Sequence, residues 1–143
     1  MKLSTKSRYG VRVLLDLALN GAESHVPLAS VAERQEISAR YLEQVAADLR
    51  KAGYIRSVKG AQGGYVLAQT PASIGIGELL RLLEGDIRLT DEPESEESRP
   101  EKCLRENLFD PLNGEVSAFL DGMTLQNLVD EQMRRSANAM YYI

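Results

Sequence analysis

Arg40, Glu43, Gln44, Ala47 and Lys51 recur at steps of three and four, so on a helix they share one face. Arginine and glutamine can pair two hydrogen bonds with guanine and adenine edges, and glutamate accepts from cytosine. The small Ala47 keeps the face narrow enough to enter a major groove. Leu42, Val45, Ala46 and Leu49 form the opposite, apolar stripe. The segment Ile37–Ala52 therefore reads as a two-faced helix, with Ser38 as its N-cap and Gly53 as its stop. An ordinary surface helix also has a polar outer face, so the neighbouring elements must decide what this one is for.

Other chemistry is thinner. His25 is the only histidine and lies before Pro27, so it reads as a loop residue with no second imidazole for a metal. Cys103 is the only cysteine, which excludes an internal disulfide and suits a reducing cytoplasm. Gly60-Ala61-Gln62-Gly63-Gly64 has the glycines of a phosphate-cradling loop, but no Lys-Ser/Thr and no helix follows it. No Cys/His pair or carboxylate constellation is readable, so the chain is not expected to be an enzyme. No apolar run is long enough to span a membrane, and no apolar stretch follows the basic N-terminus, so a cytoplasmic location is expected.

The elements around the polar stripe give it a context. Residues 5–20 are apolar over a broad face and end at Asn20-Gly21, with Lys2, Lys6, Arg8 and Arg12 crowding the start. Those cations oppose the helix dipole unless they face phosphates. Val26-Pro27 opens a short helix over about 28–34. A short helix, a tight connection and a helix with a polar outer stripe make a helix-turn-helix. Residues 54–59 and 65–68 then form two strands around the glycine-rich turn, in the position of a wing. A helix over 76–84 follows, ended by Gly85. Beyond it, Leu104, Leu108, Leu112, Val116, Phe119 and Met123 keep helical spacing, and Pro111 either starts that helix or kinks it. A last helix runs from Leu125 to about Ser136.

Charge divides the chain in the same place. Residues 1–85 hold 11 Lys and Arg against 8 Asp and Glu, while residues 86–143 hold 6 against 13. A polyanion partner suits only the front part. The expected architecture is mainly α with a small β-hairpin: a winged helix-turn-helix over 1–85, an acidic flexible loop over 86–101, dimerisation helices over 102–138 and an apolar tail over 139–143. A second copy of the chain would cover the long amphipathic helix.

Four stretches then carry a resemblance: Leu3-Ser4-Thr5-Lys6-Ser7-Arg8-Tyr9-Gly10, Ile37 to Gln44, Leu49 to Gly53, and Ser57 to Tyr65. Together they resemble the Rrf-two family of bacterial transcription regulators over nearly the whole chain except the acidic loop. The resemblance implies a DNA-binding homodimer joined through the long C-terminal helix. It implies that Arg40, Glu43 and Gln44 face bases from the helix begun by Ser38. Tyr41, Lys6 and Arg8 would hold phosphates, and Lys59 with Gly60 would form the wing contact. Arg40 stands where the family's iron–sulfur branch is expected to carry serine, which implies a different preferred operator.

That branch uses three cysteines and a fourth ligand before the long helix. Cys103 matches the last cysteine; the other two are absent, and Glu106 stands in place of a histidine. An iron–sulfur cluster is therefore not expected, since such clusters are held mainly by thiolates. The alternative is an iron–sulfur or thiol redox-sensing transcription regulator that uses Cys103. The ending Met140-Tyr141-Tyr142-Ile143 resembles that of the family's cysteine-metabolism repressors. This second likeness implies a repressor of cysteine genes whose tail enters cysteine synthase (O-acetylserine thiol-lyase).

Overall fold

The computed structural model describes residues 2–140 except Ala22, Glu23, Gln62 and Glu94. Helix α1 (Thr5–Asn20) starts at Ser4, whose hydroxyl accepts from the Ser7 N–H at 3.2 Å. Glu84 reaches this start from the far end of the chain's fourth helix. Its carboxylate accepts from the Ser4 N–H at 3.0 Å, from the Ser4 hydroxyl at 2.6 Å and from the buried Ser7 hydroxyl. The hydroxyls of Ser4 and Ser7, with the Ser4 N–H, hold its pKa below the ordinary carboxylate range. A negative group at the helix N-terminus offsets the unfavourable placing of Lys6 and Arg8 there.

Helices α2 (Leu28–Gln35) and α3 (Ala39–Lys51) follow. Between them Glu36 takes a left-handed conformation, with φ 54°. Gly53 takes φ 84° after α3; its N–H donates to the Arg50 carbonyl and the Tyr54 N–H to the Leu49 carbonyl, both at 3.0 Å. This is the Schellman closure of a helix, and it turns the chain straight into the wing. Strands β1 (Ile55–Val58) and β2 (Gly64–Leu67) pair antiparallel, Ile55 opposite Leu67 and Val58 opposite Gly64. Val26, just before α2, exchanges both backbone hydrogen bonds with Tyr65 at 2.8 Å. The hairpin is thereby fastened to the helix-turn-helix. A Cβ on Gly64 would meet the Val26 carbonyl oxygen at 2.5 Å, so only glycine permits this approach.

A short 3-10 turn (Pro71–Ser73) leads to α4 (Ile76–Glu84), which lies on α1 where Gly10 lets Leu83 come close. The core is built from Val13, Leu14 and Leu17 of α1, Val31 of α2, Leu42, Val45, Ala46 and Leu49 of α3, and Ile76, Leu79, Leu80 and Leu83 of α4.

The acidic stretch is tied down in places. Ile87 is buried, the Leu89 N–H donates to Asn113 at 2.8 Å, and Arg105 donates to Glu97 at 2.7 and 2.9 Å. Helix α5 (Arg99–Leu104) begins inside that stretch, at a Ser98/Glu101 capping box. It runs without a break through a π-helical segment (Arg105–Phe109) into α6 (Asp110–Asp121). Pro111 thus does not start the helix. It has no N–H to give back to the preceding turn, and the wider π-turn lies directly before it.

Helix α7 (Leu125–Met140), grouped by sequence with the dimerisation helices, also completes the N-terminal core. Leu125 and Val129 are buried in it, next to α1 and the 3-10 turn. The entry to α7 is held by two backbone bonds, Leu125 N–H to the Ile74 carbonyl and Ile76 N–H to the Met123 carbonyl, each 2.9 Å. Arg81 grips Asp121 at 2.6 and 3.1 Å beside them. Among the described residues, no helix is long and apolar enough to cross a membrane.

Candidate nucleic-acid interface

Helix α3 divides as its spacing predicts. Leu42, Val45, Ala46 and Leu49 are at most 1% exposed, and Arg40, Glu43, Gln44 and Ala47 face outward. The Ser38 hydroxyl caps the helix by accepting from the Tyr41 N–H at 3.2 Å. The hairpin returns beside this face. Glu43 shares one groove with Ser57, Lys59, Gly60, Gly63 and Tyr65, so helix and wing line a single concave surface. Lys59 and Gly60 are exposed at its edge.

The N-terminal cations do not form one class. Arg8 is exposed, with a 3.4 Å bond to the Thr5 hydroxyl. Lys6 is paired with Asp48 of α3 at 2.8 Å, both side chains being about two-fifths exposed. Any phosphate held by Lys6 must therefore compete with Asp48. Arg12 points inward: its Nε donates to the Gln35 side-chain oxygen at 3.0 Å and its Nη2 to the Gln35 carbonyl. Its guanidinium lies 5.3 Å from the centre of the Tyr9 ring. Tyr9 in turn meets Tyr41 edge to face, 5.4 Å between centres. Tyr41 is thus half-buried on its Tyr9 side.

Sequence reasoning missed the group behind this surface. Asp16 is 2% exposed, yet accepts from Arg34 Nε at 2.9 Å, Arg34 Nη2 at 2.7 Å and Gln35 Nε2 at 3.0 Å. Burial alone would raise its pKa, but the bonds from Arg34 and Gln35 outweigh it and hold the carboxyl below its ordinary value. A signal was available: an aspartate within the apolar face of α1 has to be paired.

Cys103 is exposed on α5, with the Asn107 amide 3.7 Å from its sulfur. Among the described residues no group of three or more His, Cys, Asp or Glu could hold a metal ion. With one thiol in the chain, the donor set does not fit an iron–sulfur cluster within a subunit. Met140 is 77% exposed at the end of α7; Tyr141, Tyr142 and Ile143 lie outside the described residues.

A helix-turn-helix with its polar stripe outward and a hairpin fastened beside it defines a winged helix-turn-helix DNA-binding protein. The chain belongs to the Rrf2 family of transcription regulators: the family model, described as an iron-dependent transcriptional regulator, matches residues 3–131. The regulator IscR of Aliivibrio salmonicida is 40% identical over 94% of this chain and 82% of its own length. That of Escherichia coli is 39% identical over 92% and 82%. Among solved structures, CymR, the global cysteine regulator of B. subtilis, superposes with a TM-score of 0.80 at 37% identity, covering 92% of this chain and 98% of that one. The T. potens IscR structure gives 0.73 at 37% identity, over 92% and 88%.

Proposed function

We propose that this chain acts as a homodimer that reads a two-fold-related operator, one α3 per half-site. The carrying observation is the shared groove, in which Glu43 of the outward stripe of α3 lies with Lys59, Gly60 and Gly63 of the wing. Arg40, Glu43 and Gln44 read base edges. Lys6, Arg8, Ser38 and Tyr41 hold the backbone at the start of α3, and Lys59 with Gly60 follows the adjacent backbone or minor groove. The second copy covers Leu104, Leu108, Leu112 and Phe119, which are 43–65% exposed in one chain. A gel shift against the chain's own upstream region tests the DNA reading. A specific complex shifted by a dimer is expected, and equal binding to unrelated duplex would overturn it.

The signal has two readings. Likeness to IscR and the description of the family model favour iron- or thiol-linked sensing over cysteine-gene repression. The donor set restricts that reading, within one subunit, to the thiol of Cys103. Its test is DNA affinity before and after mild oxidation in the wild type and in Cys103→Ser. A response that survives the substitution would remove it. The second reading is a repressor working with cysteine synthase through Met140–Ile143, favoured by the near-complete overlap with CymR. The apolar and aromatic side chains of Met140, Tyr141, Tyr142 and Ile143 are anchors that add buried area to a docked segment. Removal of Ile143 should abolish capture of the synthase and leave the dimer intact; unchanged capture would sink it.

A further inference from the structure

We infer that Arg12 is a positioning residue for sequence reading: it sets the helix-turn-helix angle and the start of α3 without touching DNA. Its place in sequence, four residues after Arg8, groups it with the phosphate-facing cations. Its geometry separates it from them. The guanidinium is half-buried and its fork closes on one residue, Gln35, through the side-chain oxygen at 3.0 Å and the main-chain carbonyl.

Gln35 is the last residue of α2, so its carbonyl has no partner within the helix. Arg12 satisfies it and places a cation at the negative end of α2. The Gln35 amide cannot swivel, because its nitrogen is bound at 3.0 Å to the buried Asp16. The turn Glu36–Ser38 therefore leaves α2 from an anchored point, in the strained left-handed step at Glu36.

The other side of the guanidinium reaches α3 through Tyr9. It faces the Tyr9 ring at 5.3 Å, and Tyr9 stands edge-on to Tyr41 at 5.4 Å and 90°. Tyr41 lies in the first turn of α3, next to Arg40 and three residues before Gln44. One side chain thus ties the end of α2 to the beginning of the reading helix. A lysine could supply the charge but not the two-pronged grip or the flat face.

The inference rests on the base-reading role of α3 proposed above. The test uses a duplex enriched by the wild-type protein from a randomised pool, and a scrambled duplex of equal length. Affinities for both are measured over a range of salt for wild type, Arg12→Met, Arg12→Lys and Tyr9→Leu. Arg12→Met should lower the ratio of specific to scrambled affinity by about tenfold, the discrimination one well-placed base contact carries. The salt slope and the affinity for scrambled DNA should stay unchanged. Arg12→Lys should not restore the ratio, and Tyr9→Leu, which spares the grip on Gln35, should lower it less. A salt slope reduced by about 1 would make Arg12 a phosphate ligand and overturn the inference. So would full retention of the ratio in Arg12→Met. If the wild type enriches no sequence, the base-reading role of α3 fails, and the inference with it.

Discussion

Two amphipathic helical regions solve the same problem differently. Helix α3 buries Leu42, Val45, Ala46 and Leu49 within its own chain and leaves polar side chains and small alanines outside. The continuous helix from Arg99 to Asp121 has no buried residue and carries Leu104, Leu108, Leu112 and Phe119 on exposed positions. Both are amphipathic in sequence. The first is complete as a monomer, and the second presents an apolar face that only another surface can cover. Stability of the fold and assembly should therefore respond to different substitutions.

Leu49→Ala should have the largest effect on folding. It empties a fully buried site, and large-to-small core changes of this kind cost roughly 2–5 kcal/mol; chemical denaturation measures it. Leu112→Ala, on the exposed face, should change monomer stability by less than about 0.5 kcal/mol. It should nevertheless raise the protein concentration at which dimers form in sedimentation. Equal effects on folding from both substitutions would erase the contrast. On the reading face, Gln44→Ala should relax base preference by roughly 1–3 kcal/mol in competition binding, with the fold unchanged.

Acid should act on the front region through Asp16. Its folded pKa lies below the ordinary carboxylate value, so the native state holds the ionised form more strongly than the unfolded chain. The contribution is complete above the unfolded pKa and is lost as pH falls through the lowered folded one. Asp16→Asn should flatten that part of the acid unfolding curve. Lys6→Ala should be the smallest change, reducing the salt slope of DNA binding by about 1. The Asp48 pairing sharpens it: Asp48→Asn frees Lys6 and should tighten binding to any duplex.

Much of the DNA-binding architecture was legible in local patterns. The spacing of Leu42, Val45, Ala46 and Leu49 gives the buried side of α3 directly, because helical periodicity is a local property. The wing followed from alternation around glycines, and the end of α4 from Gly85. Arg12 was not legible, since nothing nearby says whether a cation on a helix turns to solvent or inward. Glu84 was equally hidden. Its partners Ser4 and Ser7 lie 80 and 77 residues away. The burial of Leu125 and Val129 also escaped, because an apolar stripe states that something covers it, not what.

The sequence by itself determined which residues face outward on α3, where the hairpin turns, and that one cysteine is available. These follow from spacing, backbone preference and composition, which are carried residue by residue. Only the tertiary structure decided that Arg12 and Asp16 lock the helix-turn-helix from behind, that Lys6 is already paired, and that the last helix closes the first helix's core. Those outcomes depend on groups distant in the chain meeting at hydrogen-bond range, and pairing at 3 Å is a property of the packed fold.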